Sequence, residues 1–183
     1  APVLTEIGDQ SLLEDEPLSV PLSYTDPDGD NISVTITSSE ANVIAAMDDT
    51  TLTITPSPDF NGSSVVTVTV TESGGEYETS ESFDVTVHPV NDSPELTAIN
   101  EQNMIEDETL TINLSATDID GDDNLTFSAE SNNESVTVFV DGDSLTMTPA
   151  LNYNGTVNIT VTVSDFFLTG EETFALTVNP VND

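Results

Sequence analysis

The sequence predicts an all-β protein made of two tandem, seven-stranded Greek-key β-sandwiches. Three observations carry this reading. A pattern of roughly 90 residues occurs twice in the 183-residue chain. Apolar residues alternate with polar ones in short runs bounded by turn residues. No segment sustains a 3.6-residue apolar period, so little helix is expected.

The repeat is read by direct comparison. Pro2-Val-Leu-Thr-Glu-Ile7 returns as Pro94-Glu-Leu-Thr-Ala-Ile99, and Glu14-Asp15-Glu16 as Glu106-Asp107-Glu108. Asp26-Pro-Asp28-Gly-Asp30 matches Asp118-Ile-Asp120-Gly-Asp122. Leu52-Thr-Ile-Thr-Pro56 matches Leu145-Thr-Met-Thr-Pro149, and Phe60-Asn61-Gly62 matches Tyr153-Asn154-Gly155. Pro89-Val-Asn-Asp92 closes the first unit as Pro180-Val-Asn-Asp183 closes the second, giving domains 1–92 and 93–183.

Within the first unit the strands follow in order. A leading strand is expected near Val3 to Ile7. Leu18 to Tyr24 alternates, and Ile32, Val34 and Ile36 share one face. Val43 to Met47 is a short strand, and Leu52 and Ile54 lead to Pro56. Val66, Val68 and Val70 form the most regular strand, and Phe83, Val85 and Val87 the last. Seven strands at this spacing suit a Greek-key sandwich.

Charge excludes several functions. The chain has 35 Asp and Glu, no Lys or Arg, and a net charge of −35. Phosphate binding needs cations, so nucleic acid is excluded as a partner, and anionic lipid with it. No apolar run reaches membrane-spanning length, and targeting information is expected to have been removed before Ala1. With no Cys, disulfides, thiol catalysis and Cys-based zinc sites are out. Such a charge strains a compact fold by self-repulsion. A uniform high-salt adaptation is one answer, and a bound divalent cation is another.

The placement of the acids favours the cation. With seven alternating strands, the turn carrying Glu14, Asp15 and Glu16 falls at the bottom pole of unit one. So do the turn carrying Asp59 and Asn61 and the exit linker Asn91-Asp92. Asp118, Asp120 and Asp122 fall at the top pole of unit two, with Asp165 in its last turn. These segments are expected to meet at the junction, where close carboxylates are tolerable only around a cation. All-oxygen ligands suit calcium, which takes 6–8 oxygens, before magnesium; transition metals would want His or Cys. Gly29 and Gly121 stand fourth in their loops, which rules out an EF-hand. Asp26, Asp28, Asp30 and Glu72 form a second partial metal site at the top of unit one.

The combination Glu-Asp-Glu, Asp-x-Asp-Gly-Asp, Thr-Pro-x-x-x-Phe/Tyr-Asn-Gly and Val-Asn-Asp-x-Pro resembles the bacterial cadherin-like tandem repeats. These occur as extender repeats of large secreted adhesins, including RTX-type surface proteins, and in some exported multidomain enzymes. The resemblance covers both units and implies an immunoglobulin/cadherin-like sandwich with Ca2+ at the junction. It implies as ligands Glu14 with neighbouring Asp15 or Glu16, Asp59 with Asn61, Asn91 with Asp92, Asp118 with Asp120, and Asp165. Departures are Asn61 where cadherins have Glu, Pro89 where the linker's first Asp would be, and Asn152-x-Asn154 in unit two.

The expected function is therefore a calcium-rigidified extracellular repeat module of a bacterial adhesin. Its partners would be neighbouring repeats of the same chain and a cell-surface glycan or protein. The alternative is a carbohydrate- or protein-binding accessory module of a secreted enzyme. Catalysis is not expected, because the acids lie at turns with no cleft. His88 is expected at the surface. Met47, Met104 and Met147 are expected to pack, and Phe60 and Tyr153 to plug the core. Phe166-Phe167, without counterpart in unit one, is read as covering the domain top, with an exposed contact patch as the alternative.

Overall fold

The computed structural model describes residues 1–121 and 124–182. Asp122, one of the expected metal ligands, lies outside the described residues. The chain divides into two compact units, Ala1–Val90 and Asn91–Asp183. Among the described residues there is no helix.

Unit 1 contains β1 (Val3–Leu4), β2 (Gln10–Leu13), β3 (Leu18–Pro21), β4 (Tyr24–Thr25), β5 (Ile32–Ser38), β6 (Val43–Asp48), β7 (Thr51–Pro56), β8 (Gly62–Glu72) and β9 (Glu78–His88). One sheet has the order β2-β9-β8-β5, a second β3-β7-β6, and β1 pairs with β4. Unit 2 repeats the plan with β10 (Glu95–Leu96), β11 (Gln102–Ile105), β12 (Leu110–Asn113), β13 (Ala116–Thr117), β14 (Thr126–Ser131), β15 (Val136–Asp141), β16 (Ser144–Pro149), β17 (Gly155–Ser164) and β18 (Thr169–Asn179). Its sheets run β11-β18-β17-β14 and β12-β16-β15, with β10 on β13.

The fold class is as the sequence predicts, but two expected strands differ in extent. The leading strand expected near Val3 to Ile7 shortens to β1, which pairs antiparallel with β4, and an unexpected strand, β2, follows it and pairs parallel with β9, Gln10 opposite Val85. The expected strand from Leu18 to Tyr24 is split into β3 and β4. Alternation persists across that split because Val20 and Leu22 stay buried and Tyr24 half-buried. Period two reports which way side chains face; it does not report which backbone receives the hydrogen bonds.

Each unit has its own core. Leu52, Ile54, Val66, Val68 and Val85 are fully buried in unit 1, as are Leu145, Met147, Ile159, Val161 and Leu176 in unit 2. Each such side chain contributes about 1.5–3 kcal/mol relative to exposure. Met104 and Met147 are buried and Met47 packs against the first core, as expected. The Phe60 and Tyr153 rings also pack on their cores. Each folds back over the glycine two residues on: a Cβ on Gly62 would lie 3.2 Å from the Phe60 ring, and one on Gly155 3.2 Å from the Tyr153 hydroxyl. Both glycines have positive φ, 150° and 147°, which completes the reason for the Phe/Tyr-Asn-Gly pattern.

The leading segment is tied to the last strand differently in the two units. Thr79 on β9 donates its hydroxyl to the Pro2 carbonyl at 2.7 Å. The matching residue on β18 is Gly170, where a Cβ would stand 2.1 Å from the Pro94 carbonyl oxygen. Gly170→Ala must therefore push two backbones apart. The expected cost is about 1–3 kcal/mol, the range for inserted methyl groups in packed sites. Urea unfolding checks it, and an unchanged midpoint would refute the close approach.

Candidate functional site

The Glu-Asp-Glu turns have a defined backbone role in each unit. Glu14, 2% exposed, accepts the Val90 N–H at 2.6 Å through Oε1. Glu106, 5% exposed, accepts the Val181 N–H at 2.7 Å in the same way. Asp15 Oδ1 accepts from the Asp59 N–H at 3.1 Å, and Asp107 Oδ1 from the Asn152 N–H at 2.9 Å. All four of those turn residues have positive φ, between 57° and 65°, which Asp and Asn tolerate best among non-glycine residues. The first carboxylate thus holds the chain as it leaves the last strand, and the second ties two turns together. Glu16 and Asn61 are exposed.

The two poles differ in one atom. Asn154 donates to Glu106 Oε2 at 3.3 Å. Glu14 Oε2 is buried with no hydrogen-bond partner among the described residues. A buried carboxylate oxygen left unpaired costs on the order of 1–3 kcal/mol or more.

The Asp-x-Asp-Gly turns also repeat closely. Asp26 Oδ1 accepts from the Asp28 N–H at 2.8 Å, and Asp118 Oδ1 from the Asp120 N–H at 2.9 Å. The carbonyls of Asp26 and Asp118 accept from Gly29 and Gly121, whose φ values are 78° and 74°. Each first Asp spends one oxygen on the turn. The other, Asp26 Oδ2 or Asp118 Oδ2, is buried without a hydrogen bond. In unit 1 the Ala1 amino group lies 3.8 Å from Asp26 Oδ2 and 3.7 Å from Asp28 Oδ2.

Unit 2 gathers its own entry segment onto these turns. The Asp92 N–H donates to Asp120 Oδ2 at 2.7 Å, and Asn91 Nδ2 donates to Asp165 Oδ2 at 2.7 Å. Three segments distant in sequence, carrying Asn91-Asp92, Asp118-Asp120 and Asp165, are thereby joined. In unit 1, Asp26, Asp30 and Glu72 bring one oxygen each to within 4.8 Å of one another. The neighbouring Asp30 carboxyl, then burial, hold the Glu72 carboxyl above its ordinary value. The set offers oxygen ligands only, which suits a hard cation. Asp28 is exposed.

Phe166-Phe167 corrects an expectation: the rings do not cover the domain top. They are 87% and 75% exposed. The cause is the turn itself. Asp165 is buried and its Oδ1 accepts the N–H groups of Phe167 and Leu168, both at 2.6 Å. Phe166 has φ 91°, and this backbone turns the side chains away from the core. His88 is exposed, as expected. The backbone role of Glu106 and Asp107 was missed at the sequence level. The signal was present in the repetition of the whole tripeptide in a unit whose other turn carries Asn152 and Asn154 in place of Asp59 and Asn61.

The hydrogen bond from Asn91, followed by those from the Leu168 and Phe167 amides, holds the Asp165 carboxyl below its ordinary value of 3.8. A lowered folded value favours folding while the carboxylate is ionised. That contribution is present above 3.8 and is lost as pH falls through the lowered value. Asp165→Asn should therefore be less stable than the parent at neutral pH, with the gap closing below pH 3.8. Paired thermal melts across pH remove the shared effect of the other carboxylates. A gap that stays constant with pH would contradict the assignment.

Several comparisons bear on this geometry. A family model described as bacterial Ig domain matches residues 1–87 and 91–179. No curated protein matches the chain. Human protocadherin-24 EC1-2 is similar at 12% identity and a TM-score of 0.59, over 99% of each chain. Drosophila N-cadherin EC1-4 is similar at 15% identity and a TM-score of 0.57; the match covers all of this chain and 50% of that one. An endo-fucoidan hydrolase of glycoside hydrolase family 107 is similar at 18% identity with a TM-score of 0.41. The match covers 99% of this chain but 29% of the hydrolase. The cadherin likenesses speak to the fold. The family match spans both units, and the chain belongs to the bacterial Ig domain family as two tandem copies.

Proposed function

We propose that the chain is a non-catalytic, calcium-rigidified extracellular repeat module that acts as an extender in cell adhesion or surface contact. The observation that carries this is the pair of orphaned carboxylate oxygens, Glu14 Oε2 in unit 1 and Asp118 Oδ2 in unit 2. Buried polar atoms are almost always satisfied. An unpaired carboxylate oxygen in a chain without Lys or Arg points to a metal cation.

The donor chemistry fits calcium. Glu14, Asp15 and Asp59 belong to the end of unit 1 from which Val90 leads directly into Asn91. Asn91, Asp92, Asp118, Asp120 and Asp165 belong to the start of unit 2. The resident ion would be held by these groups and would supply positive charge to carboxylates that otherwise repel one another. The chain's own part is already visible within each unit. Glu14 fixes Val90, the last residue of unit 1, and Asp120 and Asp165 fix Asp92 and Asn91, the linker residues that open unit 2. Holding the chain on both sides of the Val90–Asn91 bond limits the conformations that the ion has to restrain, which favours binding. Asp26, Asp30 and Glu72 would form an equivalent half-site for a preceding repeat. Extracellular modules of this kind bind calcium at about 10⁻⁴–10⁻³ M, so the joint would be stiff outside cells and slack in cytosol. Its partners would be neighbouring repeats and a cell-surface glycan or protein.

Calcium at about 100 times its dissociation constant should stabilise the protein by about 2.7 kcal/mol. Small-angle scattering should show a longer, better-defined particle than in chelator. Asp118→Asn keeps the turn acceptor but removes the charge. It should fold normally in chelator and lose most of the calcium response in both measurements. A scattering profile unchanged by calcium would refute the stiffening role.

A further inference from the structure

Unit 2 carries at one hairpin end a feature that unit 1 lacks. The turn between β17 and β18 is Asp165-Phe166-Phe167-Leu168. The matching turn between β8 and β9 is Ser73-Gly-Gly-Glu-Tyr77. Phe166, Phe167 and Leu168 are all exposed, and the two rings meet edge to face, with centroids 5.5 Å apart at 88°. Consecutive exposed apolar side chains of this size are unusual on a soluble domain and mark contact sites.

The turn is a built scaffold. Beyond the two amides held by Asp165, the Phe166 N–H donates to Ser164 Oγ at 3.1 Å, and Ser164 Oγ donates to the Leu168 carbonyl at 3.1 Å. Phe166 keeps a left-handed φ of 91° with a bulky side chain, a conformation that is costly and concentrates at contact sites. On one flank the rings border a cavity of about 610 Å³ whose polar wall is Asn124, Thr126 and Ser164. Along the strand that leaves this turn lies a groove of about 360 Å³ lined by Glu95, Glu171 and Glu172. Glu171 is four residues from Phe167 along the chain, so their Cα atoms are at most about 14 Å apart. The positions matching these three acids in unit 1 are Val3, Ser80 and Glu81, and its matching turn has one exposed aromatic, Tyr77, so the three-acid set and the Phe-Phe pair are particular to unit 2.

We infer that this hairpin end docks a basic peptide segment of a partner protein, in which arginine or lysine side chains flank an apolar one. The apolar side chain packs against the paired rings. A guanidinium or ammonium lies over a Phe face, where the ring quadrupole attracts it, and a second cation enters the three-carboxylate groove. The chain has no Lys or Arg of its own to compete for either surface. Its net charge of −35 steers cations inward, and it repels anionic polymers and a second copy of this chain alike.

The test uses the full chain and a fluorescent peptide of alternating arginine and leucine, read by anisotropy at about 0.15 M salt. Saturable binding is expected. The double variant Phe166→Ser/Phe167→Ser retains every charge, and loss of a central aromatic anchor should weaken it by about tenfold or more. Glu171→Gln/Glu172→Gln should weaken binding and flatten its salt dependence. Thermal melts of each variant confirm folding. If the double variant melts early, Phe167→Ser alone repeats the test without touching the left-handed position. Equal affinity of the aromatic variant and the parent would assign the peptide to the general acidic surface and overturn the proposal. So would absence of saturable binding, or ring-dependent binding of a neutral oligosaccharide in place of the peptide.

Discussion

A carboxylate in this chain has no arginine or lysine to meet, and the architecture of its turns follows from that constraint. The groups available to it are backbone N–H donors, a few side-chain amides and hydroxyls, the Ala1 amino group, His88, and whatever cation the solvent supplies. Glu14, Glu106, Asp15, Asp107, Asp26 and Asp118 all accept backbone N–H groups. Charge-assisted bonds of this type are stronger than neutral ones and fix the donor segment in place. The acids that make the sequence so unusual in composition are therefore also the fasteners of its turns.

That double use explains why the same residues serve a structural and a metal-binding reading without contradiction. A carboxylate has two oxygens. In Glu14 and Asp118 one is committed to the backbone and the other is buried and unpaired. The committed oxygen makes the position rigid, and the uncommitted one is what the proposed function offers to a cation. Rigid ligands lower the ordering cost of binding an ion, which is the usual advantage of preorganisation. Glu106 illustrates the contrast, since Asn154 takes up its second oxygen. The repeat is thus a shared scaffold whose individual poles are tuned by single side chains.

The sandwich cores ask little of charge. Valine, leucine and isoleucine fill both, and the solvent faces of the long hairpins are lined by hydroxyl pairs such as Thr67 with Ser82 and Thr160 with Thr173. Such cross-strand pairs add modest stability without adding to the repulsion. Much of the negative charge falls in turns, and strand acids such as Asp84 on β9 and Glu171 on β18 face solvent, which screens them.

Sequence by itself determined the all-β class, the two repeats, the buried faces of Val66 to Val70 and of their partners, and the acidic turns. Those features are written in side-chain periodicity and in local turn chemistry, both of which are one-dimensional signals. Tertiary structure decided three things that such signals do not encode. It decided that β1 and β2 bond to different neighbours, because facing direction is silent about backbone partners. It decided that Glu14 spends one oxygen on the Val90 amide, a contact between segments far apart in sequence, and that the second oxygens of Glu14 and Asp118 are left over. And it turned Phe166 and Phe167 outward, because two amide bonds to a buried Asp165 and one left-handed residue outweighed the preference of phenyl rings for the core.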